Sequence, residues 1–247
     1  MSLLKRIFGQ LTSTERAASI HWNMEQRTYA LGSDLSFSVE YNGGAVEQHI
    51  DNVDVTLICH LHEITGDVNA VQVKLVSCDI DRDFFIPARQ KLKKFYSIHL
   101  PKFSPVTNEI CRYSLELKLN RGSTATNSLS TEVKIGPSEQ ISTWLKVLAE
   151  LDFHHQSHWN QPLNNSYGAT QFVQKFRYRK SNFVDKKSLD LIFRFEQYND
   201  YLDVFVEAYI ANQAQFSHQT TNTFRFTIEH NTVDLYKSKL QEQLSQS

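Results

Sequence analysis

The sequence predicts an all-β fold: two antiparallel β-sandwich domains in tandem, with a short linker helix between them and short helices at the termini. Apolar and polar residues alternate through most of the chain, and turn-forming residues separate the alternating runs. The alternation stops once, near Gly136, where apolar residues recur at helical spacing. We therefore predict an N-terminal β-sandwich over residues 1–136, a linker helix over 137–153, and a C-terminal β-sandwich with a short C-terminal helix over 154–247.

The composition is that of a folded globular protein. Hydrophobic residues make up 40% of the 247 residues and charged residues 21%. The 26 basic residues balance 27 acidic ones, which argues against a broad nucleic-acid-binding surface. The three cysteines match no C-x-x-C spacing, a pattern typical of buried thiols in a reducing compartment. Because no apolar run approaches the ~20 residues of a spanning helix, we expect a cytoplasmic protein without a transmembrane segment.

The N-terminal segment has the pattern of one amphipathic helix over residues 2–11. Leu4, Ile7 and Phe8 fall on its apolar face. We favour a terminal helix that docks on its own protein. The alternative is peripheral contact with a membrane, although two neighbouring basic residues are few for binding anionic lipid.

Two alternating runs flank an Asn-Gly-Gly sequence in the N-terminal half. Apolar residues occupy every second position over residues 35–41 and again over 53–61. Since glycine tolerates positive φ, we predict that Gly43 or Gly44 adopts such a conformation in a sharp turn. Cys59 shares the phase of the apolar residues in the second run, so we expect it to face the core.

Further alternating runs follow without intervening helices, which is the pattern of a β-sandwich. In the N-terminal half they cover residues 71–75, 96–100, 113–119 and 133–135. Ser138 then offers an N-cap for the linker helix, whose apolar stripe contains Ile141, Trp144, Leu145, Leu148 and Leu151. Alternation returns over residues 172–178, 189–195, 202–208 and 224–228, before a short helix over 232–244.

An acidic run offers one candidate metal site. Asp79, Asp81 and Asp83 resemble the opening of a calcium loop, but Phe84 and Gln90 stand where an EF-hand requires Gly and Glu. On a strand the three carboxylates would line one solvated face. We therefore predict no metal site here, with calcium binding as the alternative.

Two histidine pairs offer another candidate. His60 and His62 lie on the outer face of a predicted strand, whereas His154 and His158 would share a face only on a helix. A zinc site needs further ligands with suitable geometry, which the sequence does not bring together. Solvated surface histidines are the favoured interpretation, and metal binding stays open.

Motifs of catalysis and cofactor binding are missing from the sequence. It contains no G-x-S-x-G elbow and no glycine-rich phosphate-binding loop. The basic residues at 175–179 would face away from the aromatic residues between them, whereas a nucleic-acid platform needs both on one face. We predict no catalytic residues, no cofactor and no nucleic-acid partner.

Three pieces of sequence, in order, resemble the SpoOM family of bacterial sporulation-control proteins. They are residues 43–50 (GGAVEQHI), residues 86–87 with 96–101 and 104–107 (IP, YSIHLP, SPVT), and residues 170–176 (TQFVQKF). The resemblance implies an arrestin-like fold. It also implies a non-enzymatic regulatory adaptor that acts through protein–protein interaction in sporulation, cell-state or cell-division control.

Adaptors of this kind present sheet edges and interdomain surfaces to unidentified protein partners. The candidate interaction residues are Val46, Glu47, Gln48, His49 and Ile50, together with Trp144 on the linker helix. The alternative function is a β-sandwich module that binds a small ligand or carbohydrate, for which Trp22 and Trp159 would have to form a platform. A hydrolase without a readable motif ranks last, and the oligomeric state stays open.

Overall fold

The computed structural model contains thirteen strands and two helices in its described residues. These residues are 18–24, 28–61, 71–102, 104–121, 125–162, 172–182, 187–198, 200–212, 218–229 and 232–245. The predicted N-terminal helix with Leu4, Ile7 and Phe8 lies outside them. Neither helix of the described part is long and apolar enough to cross a membrane.

The first eight strands form two sheets. One has the order β1-β3-β6 and consists of β1 (Ser19–Met24), β3 (Asp34–Asn42) and β6 (Lys91–His99). The other has the order β2-β8-β7-β4-β5 and consists of β2 (Thr28–Ala30), β4 (Gln48–Leu61), β5 (Val71–Ile86), β7 (Cys111–Arg121) and β8 (Ala125–Gly136). All pairings are antiparallel except β2 with β8.

The two sheets bury their apolar faces against each other, as the alternation predicts. In β3 the residues Leu35, Phe37, Val39 and Tyr41 are buried, and Cys59 is buried with Leu57 and Leu61 in β4. The Tyr41 ring packs edge-on against Phe84 of the opposite sheet, with 5.2 Å between centroids. The predicted N-terminal sandwich and the orientation of Cys59 are confirmed.

The Asn-Gly-Gly sequence does not form a hairpin, because β3 and β4 lie in different sheets. It carries the chain across the sandwich beside the connection from β5 to β6. Gly43 N donates to Gln90 O (2.7 Å), and Arg89 N donates to Gly44 O (2.9 Å). The backbones of these two crossing segments are therefore hydrogen-bonded to each other.

The predicted positive φ at Gly43 or Gly44 is wrong, since Gly32 is the one described glycine with positive φ. Gly43 is required for a different reason. A Cβ at this position would lie 2.0 Å from the backbone oxygen of Pro87. The glycine therefore permits a close approach of two backbones, for which the sequence pattern gives no sign.

Replacing Gly43 with alanine is expected to destabilise the protein by roughly 1–3 kcal/mol, the usual cost of overpacking. The backbone of Pro87 has to move, because it cannot rotate away as a side chain can. Gly136→Ala is the matched control, since its Cβ would meet its nearest neighbour at 3.6 Å, an ordinary contact. Urea unfolding of the two variants tests this, and equal stabilities would contradict it.

The linker helix α1 (Glu139–Glu150) begins as predicted, with Ser138 as its N-cap. Ser138 Oγ accepts a hydrogen bond from Ile141 N (3.3 Å). Beyond α1, five antiparallel strands form one sheet in the order β13-β12-β11-β10-β9. They are β9 (His154–Pro162), β10 (Phe172–Asn182), β11 (Lys187–Gln197), β12 (Leu202–Asn212) and β13 (His218–Ile228).

Helices supply the second layer of the C-terminal half. The Trp144 ring of α1 packs on Phe193 and Phe226 of the sheet, with centroids 5.9 and 5.4 Å apart. The C-terminal helix α2 (Val233–Ser245) buries Tyr236 and Leu240. In the described residues of this half, the layer opposite the sheet is therefore helical, where the sequence pattern predicts a second sheet.

One glutamine side chain ties the two halves together. Gln174 of β10 accepts from Val106 N (3.1 Å) and donates to Val106 O (3.2 Å). Ser138 Oγ also donates to Gln197 Oε1 (2.8 Å) at the start of α1. The connection between β6 and β7 is thereby held against the C-terminal sheet.

Candidate interaction surface

The predicted interaction strand is divided between surface and core. Val46 and Glu47 are exposed just before β4, and Gln48 begins the strand with its Oε1 accepting from Ala18 N (2.6 Å). Ile50 is fully buried. Ile50 therefore anchors the strand and offers no side-chain surface to a partner in this conformation.

Trp144 is a core residue and not a surface residue. It is fully buried, and its Nε1 has no hydrogen-bond partner in the described structure. This position is that of a core residue in an ordinary packed connecting helix. Trp22 and Trp159 lie in different sheets, on β1 and β9, so they form no common platform for a carbohydrate.

His49 joins the start of β4 to the end of β5. Its Nδ1 lies 3.2 Å from Asp51 Oδ1 and its Nε2 lies 2.7 Å from Asp83 Oδ1. The hydrogen bond to Asp83 is the main cause that raises the pKa of His49. The ring also contacts Phe85, which is 58% exposed. This cluster faces solvent on the outer side of the larger sheet.

A polar network links inward-facing side chains of the edge strands β5 and β6. Asp81 Oδ2 accepts from Lys94 Nζ (2.5 Å) and from Tyr96 OH (2.8 Å). Because Tyr96 donates to Asp81, Tyr41 is left to donate to Tyr96 across 2.9 Å. Burial raises the pKa of Tyr41 to about 12. Both tyrosines therefore stay neutral donors at physiological pH.

The edge strands differ in how well a further strand would pair with them. Among the described strands, β5, β9 and β13 have register shifts against their neighbours, and β1 and β2 are only six and three residues long. Bulges and short length protect an edge from pairing. β6 pairs with β3 over nine residues without a shift. We use the term β6 edge for the side of β6 that faces away from β3, together with the side chains on the outer face of this strand.

The β6 edge carries a prominent aromatic side chain. Phe95 is 70% exposed, more than any other large hydrophobic residue in the described structure. The Lys93 Nζ lies 5.1 Å from the centroid of its ring. Lys91 forms an ion pair with Glu40 (3.2 Å) on the same outer face. The edge therefore combines an apolar anchor with positive charge.

The three aspartates of the acidic run have separate partners and do not converge. Asp79 pairs with Arg82, Asp81 with Lys94, and Asp83 with His49. A bulge in β5 between Asp79 and Asp81, and positive φ at Asp83, remove the single solvated face that a regular strand would give. In the described residues, no group of three or more His, Cys, Asp or Glu is arranged to hold a metal ion.

Three of the four histidines that the sequence singles out lie in the described residues, and these three have separate neighbours. His60 Nε2 lies 2.7 Å from Ser114 Oγ, and His62 is outside the described residues. His154 pairs with Asp152 (3.1 Å). The segment is a strand and not a helix, and His158 instead lies next to His155, which the sequence pattern does not single out.

Two cysteines lie together in the core of the N-terminal sandwich. Cys59 Sγ and Cys111 Sγ are 3.4 Å apart, and both residues are buried free thiols. The hydrogen bond to Cys59 and burial raise the pKa of Cys111. Cys111 is therefore a buried neutral thiol, which is a poor nucleophile.

An open cleft of about 430 Å³ lies between β13 and α2. Its lining mixes both charges, with Arg225 and Lys239 beside Glu229 and Glu242. Arg225 is already engaged by the buried Asp203. A ligand site usually has an apolar lining with a few convergent polar groups, and this cleft does not show that arrangement.

The chain has an arrestin-like fold, with two β-rich halves in tandem that are joined by a helix. The chain belongs to the SpoOM protein family, whose family model matches residues 14–209. The crystal structure of Spo0M, a sporulation control protein from Bacillus subtilis, superimposes with a TM-score of 0.72 at 17% identity. That match covers 93% of this chain and 98% of the Bacillus chain, and it shows a shared fold.

Other comparisons add nothing to this assignment. The DNA-bound alkylpurine DNA glycosylase AlkC of Pseudomonas fluorescens matches at a TM-score of 0.30 and 17% identity, over 48% of this chain and 30% of that one. This similarity is too low to support an argument. The search of curated proteins finds no match.

Proposed function

We propose that this protein is a non-enzymatic regulatory adaptor that binds a partner protein along the β6 edge. The observation that carries the proposal is Phe95, exposed on the longest edge strand without a register shift in the described structure. Family membership and the sporulation-control name of the Bacillus relative support a regulatory role in sporulation, cell state or cell division. The proposal includes no catalysis.

The chemistry of the β6 edge indicates what kind of segment binds there. An added strand takes its affinity from main-chain hydrogen bonds and its specificity from side chains at alternate positions. Phe95 is the anchor, since aromatic residues that become buried in a complex contribute much of its binding free energy. Lys91 and Lys93 favour a partner segment that combines apolar and acidic residues, and they disfavour the pairing of two β6 strands.

A photo-crosslinking amino acid in place of Phe95, introduced in the native host, is expected to capture the partner. The same amino acid in place of Phe85 is the matched control, because Phe85 is exposed on the outer face of the opposite sheet. Capture at position 85 and not at 95 would place the binding surface at His49 and Phe85 on the opposite sheet. That outcome would contradict the proposal.

The purified partner then allows a quantitative test. Phe95→Ala is expected to weaken binding by roughly 30-fold, which corresponds to a hot spot of about 2 kcal/mol. Phe85→Ala is expected to leave the affinity unchanged. Both side chains are exposed, so neither change should lower the thermal stability. Equal affinities for the two variants, or turnover of a substrate in a hydrolase screen, would contradict the adaptor function.

A further inference from the structure

A β-bulge brings two histidines together at the edge of the C-terminal sheet. His155 pairs with Tyr178 and Ser157 with Arg177, so Gln156 is an extra residue in β9. In a regular strand, residues three apart point to opposite faces. The bulge reverses this, and the rings of His155 and His158 stack with centroids 5.3 Å apart. Bulges often re-aim a side chain at a functional site.

The spacing of the two ring nitrogens matches that of metal ligands. His155 Nε2 and His158 Nδ1 are 3.3 Å apart. Two imidazole nitrogens on a tetrahedral zinc ion, each at about 2.0–2.1 Å, are separated by roughly 3.3–3.4 Å. The two nitrogens are therefore at the separation that one shared cation requires.

The surroundings of the pair hold the rings in place. His155 packs edge-on against Tyr178 (5.3 Å), and His158 contacts Phe176 (6.4 Å). These two ring contacts limit how far either imidazole can turn.

We propose that His155 and His158 form a two-histidine site for a divalent transition-metal cation of the zinc class, with water molecules completing the coordination. Without the metal, one ring donates an N–H to the other. On binding, that proton moves to the other nitrogen of the same ring, and both facing lone pairs bind the cation. The site is independent of the β6 edge and lies in the other half of the chain.

Zinc titration of the tag-free full-length protein at pH 7.5, against a chromogenic chelator, tests the site. The wild type is expected to bind one Zn²⁺ through this pair. His155→Ala and His158→Ala are each expected to weaken binding at least tenfold, since even second-shell changes cost roughly 10- to 100-fold. His154→Ala is the matched control, because this neighbouring side chain pairs with Asp152 and not with the histidine pair.

Cobalt provides a second measurement on the same proteins. Co²⁺ bound to the wild type should give visible absorption bands that both His155→Ala and His158→Ala remove and His154→Ala retains. Circular dichroism confirms that all variants are folded. The proposal is overturned if the wild type binds no metal, if all variants bind equally, or if only one of the two histidines matters.

Discussion

Replacing both Arg177 and Arg179 by methionine is expected to destabilise the protein by about 3–5 kcal/mol at pH 7, because it leaves a buried carboxylate without its ion-pair partners. Asp190 of β11 is only 1% exposed and accepts hydrogen bonds from both arginines of β10. The arginine side chains are 29% and 33% exposed, so solvent screening favours the lower end of this range. Methionine keeps the apolar length of the side chains.

The effect should depend on pH. Burial alone would raise the pKa of Asp190, but hydrogen bonds from Arg179 and Arg177 outweigh it and hold this pKa below the ordinary value of 3.8. The wild type therefore keeps the stabilisation above pH 3.8 and loses it as pH falls through the lowered pKa. In the double variant the folded-state pKa lies above 3.8, so the destabilisation fades as pH falls through that raised value.

Urea unfolding at pH 7 and pH 4 measures both parts of this prediction. Arg82→Met is the control, because it removes an ion pair between Arg82 and Asp79 at the surface and should change stability little. A double variant within 1 kcal/mol of the wild type at pH 7 would be outside the roughly 3–5 kcal/mol range for breaking a buried ion pair. A stability difference between the double variant and the wild type that is larger at pH 4 than at pH 7 would also contradict the prediction.

Trp144→Ala is expected to cost about 3–5 kcal/mol, the range for removing a large buried aromatic side chain. Trp144 lies fully buried between α1 and the C-terminal sheet, against Phe193 and Phe226. Its removal leaves a cavity where the linker helix joins the sheet. Thermal and urea unfolding measure the loss.

Trp144→Phe should cost much less. The indole Nε1 has no hydrogen-bond partner in the described structure, so phenylalanine gives up volume and no hydrogen bond. Leu145→Ala, a half-buried truncation on the same helix, should also have a smaller effect than Trp144→Ala. If all three variants lose the same stability, Trp144 is not the packing centre described here.

Hydrophobic periodicity predicts which residues are buried but not which strands pair. The buried positions of β3 and β4 were predicted correctly, as were the N-cap at Ser138 and the apolar stripe of α1. The same pattern fits a hairpin between β3 and β4, yet these strands lie in different sheets. The strand β9 was missed because its sequence, HHQSHWNQP, is polar and does not alternate. Its pairing with β10 stabilises it instead.

The candidate sites depend on details that periodicity does not encode. A bulge at Gln156 re-aims His155, and a close backbone approach explains Gly43. Phe95 is an exception, because a signal for it was present in the sequence. It stands out of phase with the apolar residues Tyr96 and Ile98, so the alternation itself places an aromatic ring on the solvated face.

Hydrogen–deuterium exchange of the complex with the captured partner tests the adaptor function most directly. An added strand hydrogen-bonds the free backbone N–H groups of the β6 edge, so the segment Lys91–His99 should exchange more slowly in the complex. β1, at the opposite edge of the same sheet, is the internal control and should not change. Protection of Lys91–His99 alone within this sheet is the expected result. Unchanged exchange of Lys91–His99, with protection at residues 46–50 or in the C-terminal half, would contradict it.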